Sequence, residues 1–597
     1  MPKIEDYALL GDLHTAALVS TAGSVDWLCL PRFDSPAAFA ALVHNDGAGH
    51  WTLAPAGKGN CTARRYAGNT LVLETDWVTA DGAVRVIDFM PPRVNTPHLI
   101  RIVVGLSGAV AMRSALRLRF DYGSVVPWVR HLGTQIHAIA GPDRVRLMAD
   151  VPLRGDHWET LADFTVRQGD RISFVMSWAP GHDPDMPHVD AEQALSETTD
   201  FWTEWSARAA YPTGPYHQPV DRSLITLKAL TYEPTGGIVA APSTSLPEEL
   251  GGVRNWDYRY CWLRDATYTL QALLAAGFRS EASAWRDWLL RSIAGQPETL
   301  QILYSLDGGR RLPEVELPWL SGYEGSSPVR TGNAASGQLQ LDVWGETLDA
   351  LFLARQAGLP ADGDAWALQV ELMNHLESAW REPDNGLWEV RGDRQHFTHS
   401  KIMAWAAADR MARSVRTYGL PGPARHWEQL RDQIHHDVVT HAFDAERNTF
   451  TQAYGSAALD ASLLLIPRVG FLPGTDPRVL GTIDAIRREL SEGGLVKRYQ
   501  TSETSDGVKG SEGLFIACSF WLVDALHASG QQQDATGLFE RLLAMRNDVG
   551  LLSEEWDPAA QRQLGNTPQA FSHFALVVSA LQLHMGRPVR SDNPMPI

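Results

Sequence analysis

The spacing of apolar residues changes near residue 190, and this change limits the fold more than any other feature of the chain. In the first part, the apolar runs 70–78 and 83–89 flank Asp81-Gly82, a pair that favours a tight hairpin turn. Several short strands at such spacing predict an antiparallel β-sandwich. The further strands are predicted at 99–106, 115–120, 144–148 and 171–178.

From residue 219 onward, apolar residues recur every three to four positions, which predicts roughly ten to twelve helices between loops rich in Gly, Pro and Trp. Helical hairpins in this order favour a ring, an (α/α) barrel, so the chain is predicted to be an α+β multidomain protein. We divide it into a β-sandwich at 1–190, a helical linker at 191–218 and a barrel at 219–590. The helical segments include 224–232, 268–274, 343–357, 365–380, 400–414, 427–439, 483–490, 514–528, 535–545 and 570–584.

The composition argues against several classes of protein. The 597 residues carry a formal net charge of −18, and no Lys/Arg-rich run offers the basic face that a nucleic-acid binder needs. The N-terminus lacks a basic region followed by an apolar run, and no apolar stretch approaches the about 18 residues of a membrane span. We therefore expect a soluble cytoplasmic protein with a small-molecule ligand and no membrane or nucleic-acid partner. Whether it forms a homo-oligomer stays open.

No cofactor and no metal site are predicted. The four cysteines include no Cys-x-x-Cys pair, so the spacing of a zinc or redox motif is absent. His14, His396, His399 and His573 are scattered along the chain, and each is interpreted as a hydrogen-bonding residue.

Two short acidic motifs point to chemistry on sugars. Trp388-Glu389 and residues 553–557 (Ser-Glu-Glu-Trp-Asp) each place carboxylates beside an indole. Hydrolysis of a glycosidic bond uses two carboxyl groups, and a flat aromatic ring can stack on a pyranose. A carboxyl beside an indole loses hydration, which favours the protonated form that a general acid needs. If the fold keeps the motifs apart, they are surface acids near tryptophans.

The segment 251–265 is the third informative stretch, with three arginines, two aspartates and four aromatic residues ahead of a helix. Asp265 offers two acceptor oxygens and Arg264 a planar fork of donors, a pair suited to sugar hydroxyls. The alternative is an N-cap aspartate with a structural ion pair. The density of aromatic residues favours the sugar site.

Together these motifs resemble glycoside hydrolase family 15, the family of glucoamylases, glucodextranases and bacterial trehalases. Residues 262–265 (Trp-Leu-Arg-Asp) resemble the Arg-Asp pair of subsite −1, residues 387–389 the general-acid motif and residues 553–554 the general-base motif. Each motif is modestly specific, whereas their order over most of the chain is highly specific. Further similar stretches are 11–20 and 23–34, which resemble a trehalase-like N-terminal domain, and 338–345, 496–499 and 510–513, which resemble loops at the substrate pocket.

The resemblance implies a β-sandwich followed by an (α/α)6 barrel, and an inverting mechanism with Glu389 as the acid and Glu554 as the base. The two carboxyl groups should then lie roughly 6.5–9.5 Å apart, leaving room for a water molecule. Glu555 stands where fungal glucoamylases often have Gln, so the choice between Glu554 and Glu555 stays open, with Glu554 preferred because it directly follows Ser553. The expected substrate-binding residues are Trp256, Arg264, Asp265, Gln340, Asp342, Trp388, Lys401, Arg498, Glu512, Glu555, Trp556 and His573.

The substrate expected first is α,α-trehalose, because the N-terminal segments resemble those of bacterial trehalases. A glucoamylase or an isomalto-oligosaccharide glucohydrolase is the alternative, since the matching motifs serve the subsite that all of these enzymes share. A glycoside phosphorylase and a non-catalytic sugar-binding protein are further alternatives. A phosphorylase would need a phosphate site in place of the base, and the acids around Glu554 argue against one.

Overall fold

A computed structural model describes residues 1–183, 186–293, 297–504 and 506–585. The N-terminal part is an antiparallel β-sheet domain, as predicted, and β7 and β8 form the hairpin expected around Asp81-Gly82. The strands β1 to β15 are Tyr7–Gly11, Ala16–Ser20, Ser24–Cys29, Ala37–Phe39, His50–Pro55, Asn60–Tyr66, Leu73–Thr79, Gly82–Phe89, His98–Arg117, Trp128–His131, Gln135–Ala140, Asp143–Ala149, Arg154–Asp156, Glu159–Arg167 and Arg171–Pro180.

The longest strand, β9, links the two sheets of this domain. Its first half pairs with β8 and β15, and its second half pairs with β5 and β14. Gly108 has a φ of +65°, and a Cβ on Gly105 would lie 1.9 Å from the Arg167 carbonyl oxygen. These glycines let the strand bend from one sheet into the other without ending it. The separate strands predicted at 99–106 and 115–120 are therefore wrong, since β9 covers 98–117.

The described residues contain 13 α-helices after the sheet domain. Helices α1 to α13 are Ala191–Ser206, His217–Ala229, Leu263–Ala275, Arg279–Ile293, Asp342–Gln356, Gly363–Ala379, Thr398–Tyr418, Ala424–His441, Ile466–Val469, Pro477–Glu489, Ile516–Ala528, Gln532–Leu543 and Ala570–Met585. The short strands in the connecting loops are Thr231–Tyr232, Gly237–Ile238, Thr244–Pro247, Asn255–Asp257, Cys261–Trp262, Leu303–Tyr304, Val315–Glu316, Arg330–Thr331, Phe443–Asp444, Thr449–Phe450, Ser491–Glu492, Leu495–Val496, Leu514–Phe515, Glu555–Asp557 and Arg562–Leu564.

The helices form the expected double ring. The inner ring runs α3, α5, α7, the 3-10 segment Ala461–Leu465 with α9, α11 and α13, and α13 packs against α3 again. Helices α2, α4, α6, α8, α10 and α12 form the outer ring. This arrangement confirms the predicted (α/α)6 fold. The predicted end of the barrel at residue 590 lies outside the described residues.

The inner helix α11 and the outer helix α12 differ in how much of their surface is buried. Every described side chain of α11 from Ile516 to His527 is buried, because neighbours surround this helix. In the outer helix α12 only Ala535, Phe539 and Leu542 are buried, a stripe at helical spacing. Burying a side chain such as Leu542 contributes about 1.5–3 kcal/mol. None of the helices among the described residues has the length and hydropathy of a membrane span.

The sheet domain packs against the segment that leads into α3. Trp27 Nε1 donates a hydrogen bond to the Pro242 carbonyl oxygen at 2.8 Å. The Arg259 guanidinium donates to the Ser35 carbonyl oxygen at 2.9 Å and to both oxygens of Asp257 at 2.8 and 2.6 Å. Arg259 and Asp257 are fully buried, so loss of one partner would leave an unpaired charge inside the protein. The sheet domain thereby fixes a loop that carries site residues.

Candidate active site

A pocket opens at the end of the barrel where the inner helices begin. Its walls come from the loops that lead into α3, α7, α11 and α13. Unpaired N–H groups give each helix N-terminus a partial positive charge, which favours carboxylates at this end of the barrel. The ionisable residues of the lining are Glu248, Arg254, Arg264, Asp265, Glu389, Arg391, Arg498, Asp506 and Glu554, together with Tyr258 and Tyr499.

Glu389 enters the pocket from the loop before α7. Its Oε1 accepts hydrogen bonds from Trp262 Nε1 at 2.7 Å and from the Arg264 guanidinium at 3.3 Å. The residue has a φ of +59°, and Gln338 Nε2 holds its carbonyl oxygen at 3.0 Å. A positive φ is uncommon for a residue with a side chain and is maintained by the surrounding contacts. The side chain is 24% exposed, so one end of it reaches the open part of the pocket.

Glu554 enters the same pocket from the loop before α13. Tyr258 donates its hydroxyl proton to Glu554 Oε1 at 2.5 Å. Burial, and next to it the charge of Glu248, raise the pKa of Glu554 to about 8, while the Tyr258 hydroxyl acts in the opposite direction. Gly565 has a φ of +75°, and a Cβ there would lie 2.6 Å from Glu554 Cβ, so the close approach of this loop requires glycine.

Arg264 and Asp265 stand together at the start of α3. Arg264 also donates to the Leu387 carbonyl oxygen at 2.7 Å, which ties α3 to the Glu389 loop. Its Nε lies 3.7 Å from Asp265 Oδ2. Burial raises the pKa of Asp265 to about 6, although the Arg264 charge lowers it. The pair offers both acceptors and donors to hydroxyl groups at the bottom of the pocket.

Arg498 lines the pocket and is held by two acids. Its guanidinium donates to Glu248 at 2.9 Å and to Glu512 at 2.6 Å. Glu555 lies 4.0 Å from Arg498, and its Oε2 accepts the Gly513 N–H at 2.8 Å. Glu554 lies in a bend and lines the pocket, whereas Glu555, the first residue of the strand Glu555–Asp557, does not line it.

Trp256 and Trp388 form walls of the pocket. Trp388 donates its indole N–H to Asp460 at 2.9 Å, and Trp256 donates to Glu248 at 3.1 Å. The guanidinium groups of Arg330 and Arg391 lie 4.7 and 4.3 Å from the Trp256 ring centre. These cation–π contacts fix the ring in place.

Several predicted site residues lie outside the pocket lining. Lys401 Nζ donates to the Trp380 and Glu382 carbonyl oxygens, both at 2.6 Å, and so braces the backbone before α7. The fully buried His573 accepts the Leu552 N–H at 3.1 Å, and burial lowers its pKa to about 3. The structure therefore does not place these side chains where they would touch a substrate in the pocket. Gln340 contacts Arg264, and Glu512 pairs with Arg498. The remaining predicted residues outside the lining are Asp342, Glu555 and Trp556.

Four further lining residues, Tyr258, Trp262, Glu248 and Asp506, were not predicted from the sequence. Tyr258 and Trp262 each hold one of the two acids, and both lie in the segment 251–265, for which the sequence predicts a sugar site. Glu248 and Asp506 pair with Arg498 and Arg254, respectively. Neither acid stands in a recognisable motif, and only the folded loops bring them to the pocket.

Among the described residues, two groups of side chains near the pocket contain enough ligand atoms for a cation. Glu248, Glu512 and Glu555 form one group, but Arg498 already neutralises part of their charge. Asp342, Glu346 and His399 form the other group, beneath the pocket.

The fold and the site together define a class of enzyme. A sheet domain precedes an (α/α)6 barrel, and the pocket of this barrel combines two carboxyl groups, arginines and aromatic walls. These are the groups that a glycoside hydrolase uses to bind a sugar and cleave its glycosidic bond.

Comparison with known proteins agrees with this class. A family model described as Glycosyl hydrolases family 15 matches residues 214–581, and one described as Trehalase-like, N-terminal matches residues 1–199. The chain therefore belongs to glycosyl hydrolases family 15, as its motifs suggested, and is a glycoside hydrolase.

Relatives and solved structures extend the likeness over the whole chain. The trehalase of Mycobacterium tuberculosis is 40% identical over 96% of this chain and 89% of its own length. The trehalase of Thermoplasma volcanium is 33% identical over 98% of this chain and 94% of its own length. A bacterial glucoamylase solved in complex with acarbose has a TM-score of 0.73 at 12% identity, covering 98% of this chain and 95% of that one, which shows a shared fold.

Proposed function

We propose that this enzyme hydrolyses α,α-trehalose with inversion at the attacked carbon, releasing one β-glucose and one α-glucose. The observation that carries the proposal is that Glu389 and Glu554 reach one pocket from separate loops. The relatives named trehalase, which match nearly the full chain, support trehalose over other α-glucosides. The cytoplasmic location expected from the sequence stays a prediction.

Glu389 acts as the general acid in this proposal. Both of its side-chain hydrogen bonds within the described residues go to Oε1, so Oε2 is the oxygen suited to carry the proton. The acid gives this proton to the glycosidic oxygen as the bond from that oxygen to C1 breaks. Trp262 and Arg264 then stabilise the carboxylate that forms, which favours the proton transfer.

Glu554 acts as the general base. It takes a proton from a water molecule whose oxygen bonds to C1 on the face opposite the leaving sugar. A carboxylate with a pKa of about 8 is a stronger base than an ordinary one, although its protonated fraction grows as the pH falls. Glu554 is preferred over Glu555 because only Glu554 lines the pocket.

Arg264 and Asp265 bind hydroxyl groups of the attacked glucose. Asp265 accepts hydrogen bonds from the hydroxyl groups. Arg264 lies between Asp265 and Glu389 and so links the sugar-binding carboxylate to the catalytic acid. Trp256 and Trp388 close the sides of the pocket, and Arg498 is held rigid by Glu248 and Glu512.

A stereochemical assay tests the substrate and the outcome together. Trehalose mixed with enzyme should give equal α- and β-anomeric proton NMR signals in the first minutes, before mutarotation changes their ratio. We expect kcat/KM for maltose and isomaltose to be at least about tenfold lower, a difference of about 1.4 kcal/mol in transition-state binding. Good turnover of maltose or isomaltose without trehalose turnover would contradict trehalose as the substrate, but it would be consistent with an α-glucoside hydrolase. Products that required phosphate, with glucose 1-phosphate among them, would contradict hydrolysis itself.

Tyr258→Phe should move the acidic limb of the kcat/KM profile to higher pH by about one pH unit. The Tyr258 hydroxyl stabilises the ionised form of Glu554, so its removal raises the pKa of this carboxyl further. Less of the base is then ionised at any pH below the new pKa, and activity is lost sooner as the pH falls. Initial rates between pH 5 and 9 measure this shift.

Tyr499→Phe is the matched control for this prediction. Tyr499 also lines the pocket, but its hydroxyl donates to Asp506 at 2.9 Å and not to Glu554. The acidic limb should stay in place in this variant. An unchanged limb in Tyr258→Phe would show that Glu554 does not govern it.

A further inference from the structure

Three buried residues beneath the pocket bring their ligand atoms together. Asp342 and Glu346 stand one turn apart on α5, and His399 faces them from α7. One atom from each lies within 4.8 Å of the other two. The exposed fractions are 0, 2 and 4% for Asp342, Glu346 and His399, respectively.

These side chains lack the partners that buried polar groups normally have. Neither oxygen of Asp342, neither oxygen of Glu346 nor His399 Nε2 makes a hydrogen bond of ordinary geometry with the described residues, although the Tyr268 hydroxyl lies near Glu346. His399 Nε2 lies 3.8 Å from Glu346 Oε1, beyond hydrogen-bond distance. Buried polar atoms without partners are rare, because each costs about 1–3 kcal/mol, and charged groups cost more.

Two neutralising species fit such a group, and the geometry separates them. A proton on either carboxyl group, shared or not, would make an O–H donor that needs an acceptor within hydrogen-bond distance, and neither side chain has one among the described residues. A cation attracts all three ligands without direct contact between them. Ligands of one zinc ion at about 2.0–2.2 Å lie roughly 4 Å or less from one another, so small side-chain rotations would complete the site.

The other acidic group provides an internal contrast. There Arg498 donates to Glu248 and Glu512, and Glu555 accepts a backbone N–H. The Arg264 guanidinium acts on Asp342 and Glu346 through its charge, while its hydrogen bonds go to Glu389 and the Leu387 carbonyl oxygen.

We propose that Asp342, Glu346 and His399 bind a divalent first-row transition cation, Mn²⁺ or Zn²⁺, beneath the catalytic pocket. Two carboxylates with one imidazole match these ions, whereas Mg²⁺ and Ca²⁺ prefer oxygen ligands alone. The cation neutralises the two acids that otherwise attract Arg264. The Arg264 guanidinium therefore keeps its hydrogen bond to Glu389. The site therefore positions Arg264 and takes no part in the bond-breaking step.

Metal content of the purified, untagged protein tests the proposal. After chelator treatment, incubation with Mn²⁺ or Zn²⁺ and desalting, elemental analysis should find about one ion per chain in the parent. Glu346→Gln should retain at least about tenfold less, because it loses a charged ligand. The thermal midpoint of the parent should rise on adding the ion, and that of Glu346→Gln should not.

Asp524→Asn is the matched control for these measurements. Asp524 is also a buried carboxylate of an inner helix, but Ser579 donates to it at 2.6 Å and Arg468 lies 3.5 Å away. This variant should keep the ion. In the unmodified protein, the Mn²⁺ electron-spin-echo spectrum should show one coupled imidazole nitrogen, a readout that needs no variant.

Three results would overturn the site. They are a parent that retains neither ion, a Glu346→Gln variant that retains as much as the parent, and a Mn²⁺ spectrum without a coupled nitrogen. Loss of the ion from Asp524→Asn as well would also count against it. None of these outcomes depends on trehalose as the substrate.

Discussion

Glu554→Gln is expected to lower kcat for trehalose by about 10²–10⁴-fold while the protein stays folded. The amide has the shape of the carboxyl group and can still accept the Tyr258 hydrogen bond, but it cannot take a proton from water. Because Glu248 repels the ionised Glu554, the neutral amide should leave the free energy of unfolding unchanged or slightly higher. Initial rates and thermal unfolding followed by circular dichroism measure the two effects.

Glu555→Gln is the control that decides between the adjacent acids. Glu555 accepts the Gly513 N–H and faces Arg498 outside the pocket lining, so its amide should change kcat far less than that of Glu554. Any effect should come through the position of Arg498. If Glu555→Gln abolished turnover and Glu554→Gln kept parental kcat, the base assignment would be reversed.

The fold was predictable because its two parts follow different apolar periods. Alternation with Asp81-Gly82 predicts the hairpin of β7 and β8, and three-to-four spacing predicts helices such as α5 and α7. The continuity of β9 was not predictable, since Gly105 and Gly108 look like a turn in sequence. In the fold, β9 pairs with other strands before and after these glycines, so the chain bends there without the strand ending.

The candidate site was predictable only where chemistry and local sequence coincide. Trp388-Glu389 and Arg264-Asp265 combine an acid with an aromatic or basic neighbour, and all four residues line the pocket. Glu248 has no such neighbour, and it lies beside Arg498 only because the folded barrel brings two loops that are distant in sequence together.

Two predicted residues close to a motif lie outside the pocket lining, for a physical reason. Lys401 and His573 follow site loops by a few residues, but each already lies inside a helix, where the backbone turns the side chain into the barrel wall. Buried polar side chains there satisfy backbone groups, as Lys401 does for two carbonyl oxygens. Sequence spacing alone does not separate such a residue from one that faces the pocket.

Glu389→Gln is expected to lower kcat for trehalose by about 10²–10⁴-fold, because the leaving glucose then departs without a proton donor. The amide oxygen can still accept from Trp262 and Arg264, so the loop and the pocket should keep their shape. The same variant should hydrolyse α-glucosyl fluoride within roughly tenfold of the parent, since fluoride is a weak base that leaves without protonation.

This contrast between two substrates separates the acid from the base. Glu554→Gln should lose both substrates, because water must be deprotonated whichever group leaves, whereas Glu389→Gln should lose trehalose alone. Parallel kcat measurements on trehalose and α-glucosyl fluoride for both variants give the ratio directly. Equal losses on the two substrates in Glu389→Gln would contradict a proton-donating role and leave Glu389 as a group that only positions Arg264 and Trp262.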